Sequence, residues 1–183
     1  MTLYYLDVES EGEDPQQDRL VTIQFHQLGD DLRPVGSFSI LTEWERGEKE
    51  MLRSVMQKGV LDATWDFVPV GNRLRFDLTF LMERALLHKV KDWSPPELRR
   101  FWFDKPMLDL GPVLVLMNAG KFDGSSIENF VDKRPSGDVP LLYRQGRFKE
   151  ILEYVERERD VTLSLLAEVR SMLTTFGERK RKR

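Results

Sequence analysis

Two acidic residues follow an apolar run in the segment Leu3-Tyr4-Tyr5-Leu6-Asp7-Val8-Glu9-Ser10. If this segment is a β-strand, Asp7 and Glu9 point to the same face, because strand side chains alternate. Two neighbouring carboxylates repel each other unless a cation lies between them, and oxygen ligands of this type bind Mg²⁺ and Mn²⁺. The spacing therefore indicates a divalent-metal site. The alternative is a strand that ends in a polar loop, because residues 11–14 are also rich in acids.

A second segment whose residue types could take part in catalysis reads Gly71-Asn72-Arg73-Leu74-Arg75-Phe76-Asp77-Leu78-Thr79-Phe80-Leu81. Taken alone, it predicts a turn followed by the beginning of a helix, where Asp77 would interact well with the helix dipole. Arg73 and Arg75 precede this acid closely and are well placed to meet phosphate groups. Phe76 is predicted to belong to the core.

The two segments together resemble the motifs of the DEDD superfamily of 3′–5′ exonucleases, most of all the proofreading domain of family B DNA polymerases. The first motif of that family is an apolar strand ending in Asp-x-Glu-Thr/Ser, which residues 6–10 match. The second, Gly-x-Asn-x-x-x-Phe-Asp-Leu-Pro-Phe-Leu, is similar to residues 71–81, with one residue fewer after Gly71 and Thr79 in place of proline. The segment between the second and third motifs is also similar, at Met107-Leu108-Asp109-Leu110, Gly120-Lys121-Phe122, Ser125-Ser126-Ile127 and Gly146-Arg147-Phe148. The resemblance covers residues 2–170.

This resemblance implies an α/β fold of the RNase H-like type, with a mixed sheet flanked by helices, and a metal-dependent 3′–5′ exonuclease activity. It implies two divalent cations, Mg²⁺ or Mn²⁺, with Asp7 between them, Glu9 in the tighter site and Asp77 at the second ion. Asn72 would contact substrate or brace Asp77. The implied partner is single-stranded nucleic acid with a 3′ end, DNA favoured, together with a polymerase or DNA-repair protein. Two other functions stay open: an accessory module that has lost catalysis, and a structure-specific endonuclease.

The fourth carboxylate has two candidates in the last predicted helix. The family closes its site with Tyr-x-x-x-Asp, and at this spacing Tyr154 is followed by Glu158, whereas Asp160 comes two residues later. At about 100° per residue, the helix face around position 158 is mainly apolar and the face around position 160 mainly polar. A carboxylate on an apolar face is costly unless it is paired or bound to metal. Periodicity therefore favours Glu158 as a ligand and Tyr154 as the residue that orients the attacking water, with Asp160 as the alternative.

The overall composition is typical of one folded domain. The chain has 183 residues, 40% of them hydrophobic and 32% charged, and a net charge of -3. The absence of cysteine excludes disulfides and thiolate ligands and favours a cytoplasmic location. No apolar run approaches the length of a membrane span. The net charge does not point to nucleic-acid binding, although a local basic patch would suffice.

Periodicity also predicts the elements that must position these residues. Their order indicates a mixed α/β sheet covered by helices in a domain of residues 1–177, followed by a basic disordered tail, 178–183. Strands are predicted at 2–8, 20–27, 35–41 and 66–70, and helices at 45–60, 76–88, within 89–106, 107–117, 125–131 and 147–176. The aromatic residues Trp93, Phe101, Trp102 and Phe103, beside Arg99, Arg100 and Lys105, are interpreted as a small satellite core, with stacking on a single strand as the alternative. His26 and His88 are predicted to be structural or exposed.

Overall fold

The computed structural model describes residues 2–57, 67–131 and 139–181. Five strands form one mixed sheet, and seven α-helices and a 3₁₀ turn are found within these ranges. The strands are β1 Thr2–Ser10, β2 Leu20–Leu28, β3 Ser39–Thr42, β4 Phe67–Gly71 and β5 Leu108–Asp109. The helices are α1 Glu43–Arg46, α2 Glu48–Gln57, α3 Leu74–Leu87, α4 Pro95–Phe103, α5 Leu110–Met117, α6 Val139–Arg144 and α7 Phe148–Arg181, and the 3₁₀ turn is Ile127–Asn129.

The sheet has the order β3-β2-β1-β4-β5, so the strand that carries the two acids lies at its centre. β1 pairs antiparallel with β2 and parallel with β4, while β4 pairs parallel with β5. The pairing of β1 with β4 ends at Tyr5 and Val70. The second half of β1 therefore extends beyond β4, and α3 begins beside it.

Opposite faces of β1 meet different helices. Leu6 and Val8 pack in one core with residues of α2, α3 and α4. Tyr5 packs on the other face with residues of α5 and α7. Because Asp7 and Glu9 alternate with Leu6 and Val8, the two acids lie on the face that α7 covers. This layering of helices on both faces of a mixed sheet agrees with the predicted fold class.

Gly71 allows the chain to turn closely past β1. A Cβ atom at this position would lie 2.7 Å from the backbone oxygen of Leu6 and 2.8 Å from a side-chain carbon of Leu74. No side chain fits there without moving backbone, so only glycine lets β4 pass into α3 at this distance from β1. The close turn brings the first residues of α3 against the strand that carries the acids.

Several predicted elements are corrected by the structure. The predicted helix 45–60 is divided at Gly47, whose φ of 74° favours glycine. Residues 58–60 of that predicted helix lie outside the described ranges. Residue 66 of the predicted fourth strand also lies outside them. The third strand is confined to Ser39–Thr42. In the predicted helix 107–117, Leu108–Asp109 form β5 and the helix begins only at Leu110. Helix α6 was not predicted from the sequence. Helix α7 continues to Arg181, so it extends into the predicted tail, while the assignment of residues 1–177 to one domain stays a prediction.

The aromatic cluster near α4 does not form a separate small core. Phe101 and Trp102 are fully buried in the main core, and Trp93 and Phe103 pack against that core. Lys105 lies over the ring of Phe67, with its Nζ atom 3.4 Å from the ring centroid. The interpretation as a satellite core is therefore wrong, because α4 packs directly on the sheet. No helix among the described residues has the length and apolar character needed to cross a bilayer.

Candidate metal centre

Three carboxylates from distant parts of the sequence meet on the α7 side of the sheet. One oxygen each of Asp7, Glu9 and Glu158 lies within 4.8 Å of the other two. The central strand β1 fixes the first two, and α7 brings the third across the sheet. Three negative groups at this spacing repel one another strongly, and a divalent cation bound between them would relieve that repulsion.

A fourth carboxylate reaches β1 from α3. Asp77 lies in the first turn of this helix and is 3% exposed. Its Oδ1 accepts a hydrogen bond from the backbone N–H of Val8 at 3.0 Å, between the two acids of the strand. Burial raises the pKa of Asp77 well above its ordinary value, and the negative charge of Asp7 raises it further. The ionised form of Asp77 is therefore unfavourable in the absence of a compensating cation.

The structure places Glu158, and not Asp160, beside the strand acids. The buried side of α7 includes Ile151, Tyr154 and Val155, and Glu158 follows Tyr154 by one helical turn. Asp160 is exposed and accepts a hydrogen bond from Arg159 at 2.6 Å. Because α7 is continuous from Phe148 to Arg181, no break rotates Asp160 toward the sheet.

Tyr154 lies next to the carboxylate cluster and is 7% exposed. Burial raises the pKa of its phenol, and the charges of Glu9 and Glu158 and a hydrogen bond with Glu158 raise it further. The phenol therefore stays protonated at neutral pH and is suited to donate a hydrogen bond. A role as a general base would require the opposite shift of its pKa.

The carboxylates open into a cleft that is also lined by Asn72, Arg73 and Phe76. The side-chain Oδ1 of Asn72 is buried and accepts no hydrogen bond within the described part of the chain. Arg73 adopts a left-handed backbone conformation, with φ at 57°, and its N–H donates to Asp109 at 2.8 Å. Arg75 is exposed and is not among the residues that line the cleft.

Phe76 corrects one prediction. It is 41% exposed and lines the cleft, so its assignment to the core is wrong. The ring centroids of Phe76 and the buried Phe80 lie 5.0 Å apart, so Phe80 supports one side of the Phe76 ring. Phe76 also lines the cleft. The two histidines lie outside the carboxylate cluster. His26 contacts the backbone oxygen of Gly36, and His88 contacts Glu48.

Two residues that contact Asp7 were not predicted from the sequence. The phenol of Tyr5 and the side-chain amide of Gln24 both donate to Asp7, at 3.3 and 2.8 Å. A signal was available for Gln24, because polar residues alternate with apolar ones through β2 at Thr22, Gln24 and His26. That alternation places polar side chains on a covered face of the sheet.

These residues fit a site for small, hard divalent cations. Carboxylate oxygens are the ligands that Mg²⁺ and Mn²⁺ prefer, and neither sulfur nor imidazole is present among the cluster's side chains. The close approach of three carboxylates and the raised pKa of Asp77 both indicate charge that a cation would neutralise. Asp7, Glu9, Glu158 and Asp77 are the candidate ligands.

Such an acidic cluster on the central strand of a mixed sheet accompanies a fold similar to that of solved exonuclease structures. Exonuclease I from Methylocaldum szegediense is 20% identical over 64% of this chain and 29% of its own, with a TM-score of 0.51. Escherichia coli Exonuclease I with a bound oligonucleotide is 14% identical over 67% of this chain and 31% of its own, with a TM-score of 0.51. A further Exonuclease I structure is 13% identical over 70% of this chain and 34% of its own, with a TM-score of 0.53.

These similarities establish the RNase H-like exonuclease fold, so the predicted fold class is confirmed. The chain spans about a third of the length of the Exonuclease I chains that it matches. No protein-family model and no curated protein sequence matches it. The closer relation to polymerase proofreading domains stays a prediction.

Proposed function

We propose that this chain is a metal-dependent 3′–5′ exonuclease that hydrolyses phosphodiester bonds in single-stranded nucleic acid, with DNA as the favoured substrate. The observation that carries the proposal is the meeting of Asp7, Glu9 and Glu158 within 4.8 Å at the base of an open cleft. The position of Asp77 on the Val8 amide adds a fourth carboxylate beside them. An RNase H-like fold supports a nuclease over other classes of metal-binding enzyme.

In this proposal Asp7, Glu9, Glu158 and Asp77 would hold two Mg²⁺ or Mn²⁺ ions. When bound, these ions lower the pKa of water and neutralise charge on the phosphate. The protein itself contributes positioning. The protonated phenol of Tyr154 donates a hydrogen bond that orients the attacking water, and the left-handed turn at Arg73 presents a cationic side chain near the phosphate.

The walls of the cleft favour a single strand. Phe76 offers an exposed aromatic surface on which a base can stack, and stacking contributes about 1–3 kcal/mol per base. Asn72 also lines the cleft and carries a side-chain amide that could make a polar contact with the substrate. Structures of E. coli Exonuclease I contain single-stranded oligonucleotides and, in one case, zinc together with DNA. Those complexes support the choice of substrate and of a cation-dependent mechanism.

The proposal is tested with a single-stranded oligonucleotide that carries a label at its 5′ end. With Mn²⁺ present, we expect products that shorten one nucleotide at a time and release of nucleoside 5′-monophosphates, and EDTA should stop the reaction. Asp7→Asn is the matched control, because it keeps the size of the side chain and removes its charge. Substitutions of residues that support a metal's ligands typically lower metal affinity or activity by about 10- to 100-fold. We expect Asp7→Asn to lower activity by more than that, because it changes a ligand.

The competing functions give different results in the same assay. A structure-specific endonuclease would cut a circular single strand, which has no 3′ end, whereas the proposed exonuclease would leave it intact. An accessory module would bind the labelled strand without shortening it under any metal condition. Parallel DNA and RNA substrates decide which nucleic acid is preferred.

A further inference from the structure

Two buried side chains direct hydrogen bonds at one oxygen of Asp7. The phenol of Tyr5 donates to Asp7 Oδ2 at 3.3 Å, and the amide of Gln24 donates to the same atom at 2.8 Å. Tyr5 is 1% exposed and Gln24 is 0% exposed. Two donors that converge on one carboxylate oxygen from different strands restrict the rotation of the carboxylate about its Cβ–Cγ bond.

The register of the sheet gives this arrangement its rigidity. Asp7 lies directly opposite Gln24 in the antiparallel pairing of β1 with β2, and Tyr5 precedes Asp7 by two residues on the same face. Both donors therefore come from central strands and not from loops. Side chains anchored in this way hold a reacting group more accurately than loop residues do.

Gln24 occupies a position where an amide is costly. Its Oε1 is fully buried and accepts no hydrogen bond from the residues that the structure describes. A buried acceptor left in this way costs about 1–3 kcal/mol, which an apolar side chain of similar size would avoid. The opposite face of β2 carries Leu20, Ile23 and Phe25, all buried. Stability alone therefore does not explain a glutamine here, whereas its bond to Asp7 does.

Both donors are also uncharged. A lysine or arginine beside Asp7 would orient the carboxylate equally well but would neutralise it and compete with a bound cation. An amide and a phenol fix the carboxylate and leave its negative charge available. This combination suits a metal ligand better than it suits a structural ion pair.

We propose that Gln24 and Tyr5 are positioning residues, which hold the carboxylate of Asp7 in its metal-binding orientation before a cation arrives. The inference rests on the proposed function, because it assigns these two residues to the same cation site. Supporting groups outside the ligand shell typically contribute about 10- to 100-fold to metal affinity.

The test compares Gln24→Met and Tyr5→Phe with wild type and with Thr22→Val as the matched control. Each of the two variants removes one donor to Asp7 and keeps a side chain of similar shape. Thr22 lies on the same face of β2, is equally buried, and its hydroxyl makes no hydrogen bond within the described ranges. Mn²⁺ affinity is measured by electron paramagnetic resonance, which counts unbound Mn²⁺. Unfolding is followed separately in EDTA.

We expect Gln24→Met to weaken Mn²⁺ binding by about 10- to 100-fold and Tyr5→Phe to weaken it less, because its hydrogen bond is longer. Thr22→Val should bind Mn²⁺ like wild type. In EDTA, Gln24→Met should melt at the same or a higher temperature, because the buried Oε1 has been removed. Cleavage by both variants should recover as Mn²⁺ is raised, which a purely structural defect would not do.

Three results decide whether this inference and the proposed function stand or fall separately. If wild type binds Mn²⁺ and both variants bind it equally well, the positioning role is wrong and the nuclease proposal is unaffected. The positioning role is also wrong if the loss of Mn²⁺ affinity is matched by a lower melting temperature in EDTA. If wild type binds no Mn²⁺, both the metal centre and the positioning role are overturned.

Discussion

The backbone N–H of Val8 donates to Asp77 Oδ1 at 3.0 Å, and this bond joins α3 to the central strand. It is possible because β1 continues beyond the end of β4, so the edge of β1 at Val8 faces the first turn of α3 and not another strand. The bond fixes Asp77 between Asp7 and Glu9. It also satisfies a strand N–H that would otherwise be buried without a hydrogen bond.

The first prediction concerns the charge of Asp77. Asparagine has the same shape and keeps an oxygen for the Val8 N–H, but it carries no charge. We expect Asp77→Asn to melt at a higher temperature than wild type in EDTA at neutral pH. The physical reason is that burial and the charge of Asp7 make the ionised carboxylate unfavourable, as its raised pKa indicates.

The sign of the pH dependence follows from that raised pKa. In wild type, the stability contributed by protonated Asp77 is fully present below the unfolded pKa, about 3.9, and is lost as the pH rises through the folded pKa. The advantage of Asp77→Asn should therefore shrink as the pH falls. Added Mn²⁺ should raise the melting temperature of wild type more than that of Asp77→Asn, so that wild type becomes the more stable of the two. A variant less stable than wild type in EDTA at every pH would contradict this account.

The central features of the site could be predicted from the sequence because they depend on simple periods. The alternation of a strand puts Asp7 and Glu9 on one face, and the period of a helix puts Glu158 with Tyr154 and turns Asp160 away. Both arguments need only local geometry, and the structure places these side chains accordingly.

Other features depend on contacts between distant segments, which local periodicity does not contain. Strand β5 has two residues and α6 has six, so neither is long enough to show a period. Phe76 lies in α3, which is apolar on several sides, so the pattern does not distinguish its core face from its cleft face. The hydrogen bond from Gln24 to Asp7 depends on the register of β1 with β2, which the sequence alone leaves open.

The second prediction separates Glu158 from Asp160. Glu158→Gln should bind Mn²⁺ weakly and lose more than about 100-fold in cleavage, because it removes one of the three charges that meet at the candidate metal centre. Asp160→Asn should cleave like wild type and change the free energy of unfolding by less than about 0.5 kcal/mol, because Asp160 is exposed. Steady-state kinetics and Mn²⁺ titration measure both variants. Loss of activity in Asp160→Asn alone would mean that α7 is rotated or interrupted near the site.

The third prediction concerns how Tyr154 acts. Because burial and nearby carboxylates raise the pKa of its phenol, the hydroxyl should remain a donor throughout the working range of pH. Tyr154→Phe should lower kcat by about 100-fold through loss of orientation of the water, and the shape of the pH–rate profile should not change. The profile of the variant is compared with that of wild type at saturating Mn²⁺. A limb of the profile that disappears in the variant would show that the phenol titrates and acts as a base.

The fourth prediction concerns a buried ion pair that supports the loop between β1 and β2. Arg84 donates to both oxygens of Glu48, at 2.7 and 2.6 Å, and both side chains are buried. Arg84 also donates to the backbone oxygen of Pro15, and Glu48 accepts from the N–H of Leu20, so the pair holds the middle of this loop and the first residue of β2. Residues of the loop line the cleft beside the carboxylates, which links this pair to the geometry of the site.

Arg84→Met should lower the free energy of unfolding by about 3–5 kcal/mol, because it leaves the Glu48 carboxylate buried without its cation. Burial acts to raise the pKa of Glu48, but hydrogen bonds from Arg84, Leu20 and His88 outweigh it, and the pKa lies below its ordinary value. The stability from this pair is therefore present above the unfolded pKa and is lost as the pH falls through the folded pKa, so the destabilisation by Arg84→Met should shrink in acid. Adding Glu48→Leu should restore about half of the loss and leave a deficit of about 1–3 kcal/mol for the Leu20 N–H. Urea unfolding of the single and double variants in EDTA measures these differences. A double variant that is less stable than Arg84→Met would show that the unpaired Glu48 charge is not the source of the loss.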